Sequence, residues 1–257
     1  MTDDQREVEL AGGGVNRVFR VGATVRRPSG PWTATVHALL DHVHRRGFAG
    51  APCAHGLDPQ GREVLDFIPG DVGHRPLTDD ALVAVGALLR EFHDATADFT
   101  PPPDATWFLP AREPAEVVCH GDVAPYNCVF RDGRPVALID FDTAHPGPRV
   151  WDFAYAAYRF APLTDPANPD FHLPLEDQAR RLRVLADAYR LSPDDREAVT
   201  DTARLRLDHL VRLMHDQAAA GNAAFAGHIA AGHDRLYQRD AAHIARHGAY
   251  LTAALRP

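Results

Sequence analysis

Two polar segments joined by a predicted β-hairpin constrain the fold of this chain most. They are His120–Asn127 and Ile139–Asp142. Between them, short apolar runs stand on either side of residues 131–134, which contain an Asp-Gly pair, and this pattern is typical of two antiparallel strands with a tight turn. Because a hairpin brings its outer ends together, we expect Asn127 and Asp140 to lie side by side although they are thirteen residues apart.

The side chains of the two segments fit phosphoryl transfer. An aspartate such as Asp122 can accept a proton, and Asn127 together with Asp140 offers the hard oxygen ligands that Mg²⁺ prefers. Transfer of a γ-phosphoryl group needs mainly a positioned hydroxyl, a carboxylate that orients it, and metal ions and basic side chains that neutralise phosphate charge. We therefore predict Asp122 as the catalytic carboxylate and Asn127 and Asp140 as ligands of Mg²⁺. The alternative is that Asp122 is a turn residue, Asn127 a cap and Asp140 a polar group at the end of a strand.

The spacing of these residues resembles a known family. His-x-Asp-x4-Asn matches the catalytic loop of protein kinases, and Asp-Phe after one hairpin matches their metal-binding segment. The segments that carry the resemblance are 120–122 (HGD), Asn127, 139–142 (IDFD) and 150–154 (VWDFA). They look like the aminoglycoside phosphotransferase and choline kinase family, and the segments 12–17 and 142–148 look most like its trifolitoxin-immunity-like branch.

This resemblance implies a fold and a nucleotide. Members of the family share the protein-kinase fold, so we expect an α+β, bilobal architecture. A small β-rich N-lobe would comprise residues 1–68, and a larger helical C-lobe would comprise residues 69–257. The resemblance also implies ATP and Mg²⁺ as cofactors. It gives His120 a structural role, in which the imidazole holds the catalytic loop by hydrogen bonds; the alternative for His120 is a general base or metal ligand.

A glycine-rich turn near the N-terminus is the predicted phosphate loop. Short β-rich runs precede and follow Gly12, Gly13 and Gly14, and glycine lets backbone N–H groups approach phosphate closely. A plain glycine hairpin is the alternative. In the family, the third strand supplies a basic residue to the α- and β-phosphates. Arg26 falls at this position and is our choice, with its neighbour Arg27 as the alternative.

The helix that follows departs from the kinase pattern. Apolar residues recur at helical spacing over residues 32–46, but Asp41 is the only acid of this segment. The glutamate that usually pairs with the basic residue of the third strand therefore has no obvious counterpart. Either Arg26 acts without an acidic partner, or another carboxylate such as Asp41 replaces it. This departure motivates the hypothesis of a catalytically inactive relative.

The segment after the predicted strand 62–68 indicates the adenine site. Pro69 and Gly70 break the strand. In the family this segment is the hinge between the lobes, where adenine bonds to the backbone. The resemblance therefore assigns the carbonyl of Asp66 and the N–H of Ile68 to the adenine edge.

The remainder of the chain is predicted to be helical. Helices are expected over residues 78–96, 175–190, 193–220 and 223–255, and Thr78 is the candidate N-cap of the first. In the family such C-terminal helices build the acceptor pocket. The acids that could hold a cationic acceptor there are Glu176, Asp177, Asp208 and Asp216. The alternative for each of these acids is that it is a surface charge exposed to solvent.

Composition limits the partners and the location. The chain has 257 residues, of which 45% are apolar and 24% charged, as in an ordinary soluble globular protein. Its net charge of -8 argues against a nucleic-acid partner and mildly favours a cationic acceptor. The sequence shows no apolar run long enough to span a membrane and no secretory signal of basic residues followed by an apolar stretch. We therefore expect a cytoplasmic protein that does not span a membrane. The three scattered cysteines are expected to be reduced.

Three hypotheses for the function follow. The first is an ATP-dependent, Mg²⁺-requiring phosphotransferase that acts on a hydroxyl of a small molecule, either an aminoglycoside-like antibiotic or a hydroxylated metabolite. The second is a catalytically silent immunity protein that binds a nucleotide or a peptide. The third is a kinase of serine or threonine in peptides. The sequence leaves the acceptor, the choice between ATP and GTP, and the oligomeric state open.

Overall fold

The structure, a computed structural model, describes residues 6–10, 17–73 and 77–256. The predicted phosphate loop, Gly12, Gly13 and Gly14, lies outside the described residues. The chain groups into two compact units. The first comprises the described parts of residues 1–75 with residues 88–149, and the second comprises the described parts of 76–87 with 150–257. Each unit is described by itself below.

The N-terminal part of the first unit is an antiparallel sheet of five strands. The strands are β1 (Glu7–Glu9), β2 (Phe19–Val21), β3 (Thr24–Arg27), β4 (Ala54–Leu57) and β5 (Glu63–Asp66). Their order across the sheet is β1-β2-β3-β5-β4, so β3 has β2 on one side and β5 on the other. The predicted strands at 17–21, 24–26 and 62–68 are thus present, in two cases shorter than expected.

A helix follows β3 in the chain, as the sequence predicts. Helix α1 (Thr33–Arg45) buries an apolar stripe that recurs at helical spacing. The stripe consists of Val36, Leu39, Leu40 and Val43. The opposite face carries Asp41, which is exposed. Helix α1 therefore packs through its apolar stripe and leaves its only acid in solvent.

Short strands precede and follow the segment 120–127 in the rest of the first unit. They are β6 (Asp71–Val72), β7 (Val117–Cys119), β8 (Cys128–Arg131), β9 (Arg134–Leu138) and β10 (His145–Gly147). Strands β8 and β9 form the predicted hairpin, with β6 on the other side of β8, while β7 pairs with β10. At the tip, Asp132 and Gly133 both have positive φ, 52° and 74°, as the tight turn of a twisted hairpin requires. The predicted hairpin is confirmed.

The helices α2 to α7 make up most of the remaining chain. They are α2 (Asp79–Thr96), α3 (Arg149–Phe160), α4 (Leu175–Tyr189), α5 (Pro193–Ala219), α6 (Ala223–Ala230) and α7 (His233–Ala253). Thr78 accepts a hydrogen bond from the backbone N–H of Ala81 at 3.3 Å, which confirms it as the N-cap of α2. The single helix predicted over 223–255 is wrong. It is two helices, because Gly232 takes a left-handed φ of 83° that interrupts the helical path.

Buried aromatic and aliphatic side chains form the core of the second unit. The largest fully buried side chains of this unit include Tyr158, Tyr189, Phe153, Phe160, Leu82 and Leu163. With a five-stranded sheet in the N-terminal region and a mainly helical remainder, the predicted α+β class is confirmed. Among the described residues, no helix combines the length and the apolar character that crossing a membrane requires.

Candidate active site

The loop that carries Asp122 follows β7 and depends on a glycine. Gly121 has a φ of +84°, a conformation that other residues adopt only with strain. A Cβ atom at this position would lie 2.3 Å from the carbonyl oxygen of Thr143. The hydroxyl of Thr143 in turn donates to the carbonyl of His120 at 3.0 Å. Residues 120–122 are therefore closely packed against the segment after β9.

The carboxylate of Asp122 is fixed by two neighbours in the same loop. The hydroxyl of Tyr126 donates to Asp122 Oδ1 at 2.8 Å, and Nδ2 of Asn127 donates to Asp122 Oδ2 at 2.9 Å. Asn127 Nδ2 also lies 3.1 Å from the backbone carbonyl of Asp122. Since the amide nitrogen of Asn127 bonds to Asp122, its amide oxygen is the atom that can ligate a cation. The predicted catalytic and metal-binding residues of this loop are thus in direct contact.

Asp140 lies at the end of the hairpin next to Asn127, as predicted. The N–H of Ile139 donates to the carbonyl of Asn127 at 2.9 Å, which links the two ends of the hairpin. Asp140 itself is in the left-handed region, with φ 66° and ψ 64°. Such a conformation costs free energy in a residue other than glycine and is found most often where a site requires a particular side-chain direction.

His120 has the structural role that was predicted for it. Its ring is buried, with Nε2 2.9 Å from the carbonyl of Ile139, and Nδ1 accepts from the N–H of Asp122 at 3.3 Å. The ring also packs against Phe141, with 4.5 Å between ring centroids. These contacts join the loop of Asp122 to the strand that leads to Asp140, so the imidazole holds the two halves of the site together.

The basic residue among the acids of this site is Arg27. It is buried and forms ion pairs with three carboxylates: Nε pairs with Glu63, Nη1 lies 2.7 Å from Asp140 Oδ1, and Nη2 pairs with Asp142. The carboxylates raise the pKa of Arg27 in spite of its burial, which acts in the opposite direction. Glu63 was not identified from the sequence.

The structure does not bring Arg26 to the site. Its Nη1 donates to the hydroxyl of Thr24 at 2.6 Å, and its Nε lies 3.8 Å from Asp58. The reason is the alternation of side chains along a strand, which sends Arg26 and Arg27 to opposite faces of β3. The sequence contains a signal that Arg27 faces inward, because the apolar Val25 shares its face with Arg27 and apolar strand residues usually face the protein interior.

Glu63 takes the place of the glutamate that α1 lacks. Its side chain is 1% exposed, and His37 of α1 approaches it, with Nε2 2.9 Å from Glu63 Oε1. Burial alone would raise the pKa of Glu63, but the hydrogen bond from His37 and the charge of Arg27 outweigh it and lower the pKa. For Asp142 the balance is reversed: burial raises its pKa although Arg27 acts to lower it.

The predicted adenine contacts stay predictions. The N–H of Asp66 donates to the carbonyl of Cys53 at 3.0 Å, and that of Phe67 donates to the carbonyl of Ala23 at 2.9 Å. The carboxylate of Asp66 is engaged by His55 at 2.7 Å. Ile68 lies two residues after the end of β5 and is half-buried. The backbone of Asp66 and Phe67 is thus anchored to the residue before β4 and to the turn before β3.

The donor set around Asp140 suits a small hard cation that phosphate helps to bind. Across the described ranges, no group of three or more His, Cys, Asp or Glu side chains could hold a metal ion by itself. Asn127 and Asp140 supply an amide oxygen and a carboxylate, and the side chain of Asp140 is half exposed, at 49%. Mg²⁺ is commonly bound by one or two such side chains together with phosphate oxygens and water. The residues present therefore fit Mg²⁺ bound together with a nucleotide.

Comparisons of the sequence with known proteins agree with this geometry. The sequence model of the phosphotransferase enzyme family (APH) matches residues 104–197, a range that includes the catalytic loop, the hairpin and Asp140. The trifolitoxin immunity protein of Rhizobium leguminosarum bv. trifolii is 38% identical over 204 residues, which cover 76% of this chain and 78% of that protein. The predicted likeness to the trifolitoxin-immunity branch is confirmed.

Comparisons of the structure concern the fold alone, because the sequence identities are low. The amicoumacin kinase hAmiN, solved with AMP-PNP, Ca²⁺ and Ami, has a TM-score of 0.66 at 14% identity, and 89% of this chain and 88% of that chain are covered. The GDP complex of wild-type aminoglycoside 2'-phosphotransferase-IIIa has a TM-score of 0.58 at 14% identity, with 94% of each chain covered. The predicted kinase-like fold is thus confirmed. On the identity to the immunity protein and the match of the sequence model, the chain belongs to the phosphotransferase enzyme family.

Proposed function

We propose that this phosphotransferase moves the γ-phosphoryl group of ATP to a hydroxyl of a small molecule and requires Mg²⁺. The observation that carries the proposal is the convergence of Asp122, Asn127 and Asp140 with the buried Arg27 in one compact unit. This is the set of groups that phosphoryl transfer needs: a carboxylate for the hydroxyl, oxygen ligands for a metal, and a cation for phosphate.

Each residue has a separate task in this proposal. Asp122, held by Tyr126 and Asn127, orients the acceptor hydroxyl and takes its proton as the phosphoryl group arrives. The amide oxygen of Asn127 and the carboxylate of Asp140 hold Mg²⁺. When bound, Mg²⁺ neutralises charge on the phosphate oxygens. Arg27 contacts the α- and β-phosphates, in place of Arg26. The glycine segment 12–14 and the backbone of Asp66 and Ile68 are proposed to bind the phosphates and the adenine.

The acceptor is proposed to be an aminoglycoside-like antibiotic or another hydroxylated metabolite. Solved proteins of similar fold include an aminoglycoside phosphotransferase and a kinase named for amicoumacin. The net charge of -8 favours a cationic acceptor. Two of the acids that sequence analysis singled out for this purpose are already paired: Asp177 lies 3.5 Å from Arg180, and Asp208 lies 2.9 Å from Arg204. Glu176 and Asp216 remain candidates for contact with the acceptor.

A catalytically silent immunity protein is the second candidate. The 38% identity to the trifolitoxin immunity protein favours it. The absence of a glutamate in α1 no longer favours it, because Glu63 occupies the place beside Arg27. A silent protein also has no need of the fixed carboxylate at Asp122. A catalytic function therefore explains more of the site.

Substitution of Asp122 tests the proposal. Asp122→Asn removes the proton acceptor but keeps the size of the side chain, so kcat for phosphoryl transfer should fall by about 10²- to 10⁴-fold while ADP affinity stays unchanged. The assay is transfer of labelled γ-phosphate from ATP to a panel of aminoglycosides, choline, homoserine and thiamine. Asp132→Asn, at the exposed tip of the hairpin, is the matched control and should keep wild-type activity.

Two outcomes count against the proposal. Full activity of Asp122→Asn would remove the catalytic role of this carboxylate. A wild-type protein that binds ATP but transfers phosphate to no acceptor, and that hydrolyses ATP no faster than the variant, would favour the silent immunity protein.

A further inference from the structure

Arg27 and Glu63 are direct neighbours across two paired strands. The register of β3 against β5 places the Cα of Arg27 opposite that of Glu63. Both side chains are buried, with 5% of Arg27 and 1% of Glu63 exposed, and Nε of Arg27 pairs with Oε2 of Glu63. A buried charge is tolerated when it is paired and hydrogen-bonded. The sheet register therefore fixes which acid pairs with Nε of this arginine.

The second oxygen of Glu63 connects the same pair to α1. His37 Nε2 lies 2.9 Å from Oε1, so one carboxylate oxygen bonds to strand β3 and the other to the helix. An ionised carboxylate only accepts hydrogen bonds, hence His37 donates its Nε2–H. The only acid of α1, Asp41, is exposed and takes no part in this arrangement. The helix thus contributes a donor where an acid is usual, and the acid comes from β5.

The orientation of the guanidinium follows from these contacts. Because Nε is bonded to Glu63, the two terminal nitrogens point the other way, toward Asp140 and Asp142. That is the side on which the oxygen ligands of the metal lie, and therefore where the phosphates of a bound nucleotide belong. Each terminal nitrogen carries two N–H groups, so beside its bond to Asp140 or Asp142 each keeps one N–H that can donate to phosphate.

We propose that Glu63 is a positioning residue, which fixes Arg27 for the phosphates of a nucleoside di- or triphosphate, and that His37 is the contact through which α1 holds Glu63. The proposal rests on the proposed function, since it assumes that phosphates bind beside Asp140. It also changes what α1 does. Arg27 and its acid belong to one sheet, so their pairing is set by strand register and does not require the helix to supply the acid.

A shortened side chain at position 63 tests the proposal without changing the charge. In Glu63→Asp the carboxylate cannot reach Arg27 and His37 together, so ADP affinity should fall roughly tenfold, the scale of one charge-assisted hydrogen bond. Adenosine, which has no phosphates, should bind as it does to the wild type. Both ligands are titrated by calorimetry in EDTA, without Mg²⁺. Glu7→Asp is the matched control, because Glu7 is an exposed sheet residue that pairs with Arg62.

A double-mutant cycle separates positioning from a general effect. If Glu63 acts through Arg27, Glu63→Asp should have no further effect on ADP affinity in an Arg27→Gln background. At the helix, His37→Leu should weaken ADP binding about threefold, and His37→Gln, which keeps an N–H donor, should restore it. If Glu63→Asp does not fold, the two variants His37→Leu and His37→Gln still test the proposal.

The outcomes distinguish this proposal from the one on which it rests. Wild-type protein that binds neither ADP nor ATP overturns both. Wild-type protein that binds ADP, with Glu63→Asp and the His37 variants all binding it equally well, overturns only the positioning role. Equal losses for ADP and adenosine in Glu63→Asp also overturn it, since they mean that the substitution disturbs the whole nucleotide site.

Discussion

Gly121 shows how a single residue can determine the geometry of the loop that carries Asp122. Two separate effects disfavour a side chain at this position. The φ of +84° is strained in other residues, and an added Cβ atom would lie 2.3 Å from the carbonyl oxygen of Thr143. The left-handed conformation alone costs about 1–2 kcal/mol in other residues. The contact adds to this cost, because backbone atoms cannot rotate away as the end of a flexible side chain can. Glycine at this position thus lets the loop pack against the segment after β9.

We predict that Gly121→Ala lowers the free energy of unfolding by about 2–4 kcal/mol, the range of a backbone conflict in a buried site. Gly133→Ala is the matched control, since Gly133 has a φ of +74° but nothing within 4 Å of a Cβ atom. It should cost only about 1–2 kcal/mol, from the backbone conformation. Urea unfolding at equilibrium measures both variants. Equal losses in the two would mean that the approach of Thr143 does not restrict this position.

Residue roles could be predicted from the sequence where short-range spacing decides them. Asp122 and Asn127 contact each other within one loop, and His120 contacts both this loop and Ile139, which directly follows β9. The structure places Arg27 among the carboxylates where Arg26 was predicted, because a shift of one residue along a strand reverses the face and sequence position alone does not give the register. Glu63 was missed for a similar reason. Its partner is 36 residues away, and only the pairing of β3 with β5 brings the two together.

At the scale of elements, local signals were reliable and long-range connections were not. The Asp-Gly turn predicted the hairpin of β8 and β9, and Thr78 predicted the start of α2. The break between α6 and α7 was not predicted, although Gly232 is a helix-breaking residue, because the surrounding Ala-rich segment continues the helical pattern. Tertiary packing decides whether a glycine ends a helix or is tolerated inside it.

Asp240 of α7 joins three elements of the second unit. It is fully buried and accepts hydrogen bonds from the hydroxyl of Tyr158 in α3 at 2.7 Å, from the N–H of Asp165 at 2.8 Å and from Nδ2 of Asn168 at 2.8 Å. Burial raises the pKa of Asp240 in spite of these three donors. Part of the hydrogen-bond energy is therefore offset by the cost of removing the carboxylate from water. The net effect is a connection between α3, α7 and the loop that carries Asp165 and Asn168.

We predict that Asp240→Ala destabilises the protein by about 2–4 kcal/mol, because it leaves buried donors without their acceptor. Asp177→Ala is the matched control: this aspartate of α4 is half exposed and pairs loosely with Arg180, so its loss should cost less than about 1 kcal/mol. Urea unfolding gives both values. A loss for Asp240→Ala as small as that of the control would mean that water replaces the carboxylate without cost.

At the scale of the whole molecule, the sequence identifies the reaction class better than the acceptor. The residues proposed for phosphoryl transfer lie in short motifs of the first unit. The charges of the second unit lie on long helices, where acids and arginines alternate and pair within a turn, as Arg204 and Asp208 do. Such pairing does not differ between a surface and an acceptor pocket, so sequence spacing cannot rank these acids. The net charge of -8 is the property of the whole chain that bears on the acceptor.

We therefore predict that salt weakens the use of cationic acceptors selectively. Attraction between an acidic protein and a polycationic aminoglycoside is screened when the Debye length falls from about 14 Å at 0.05 M to about 4 Å at 0.5 M salt, so kcat/KM for that acceptor should drop severalfold. A neutral hydroxylated acceptor from the same panel is the control and should keep its kcat/KM within about a factor of two. Initial rates at saturating ATP and Mg²⁺ measure both. If the two acceptors respond equally to salt, the acidic charge does not select the acceptor and serves solubility alone.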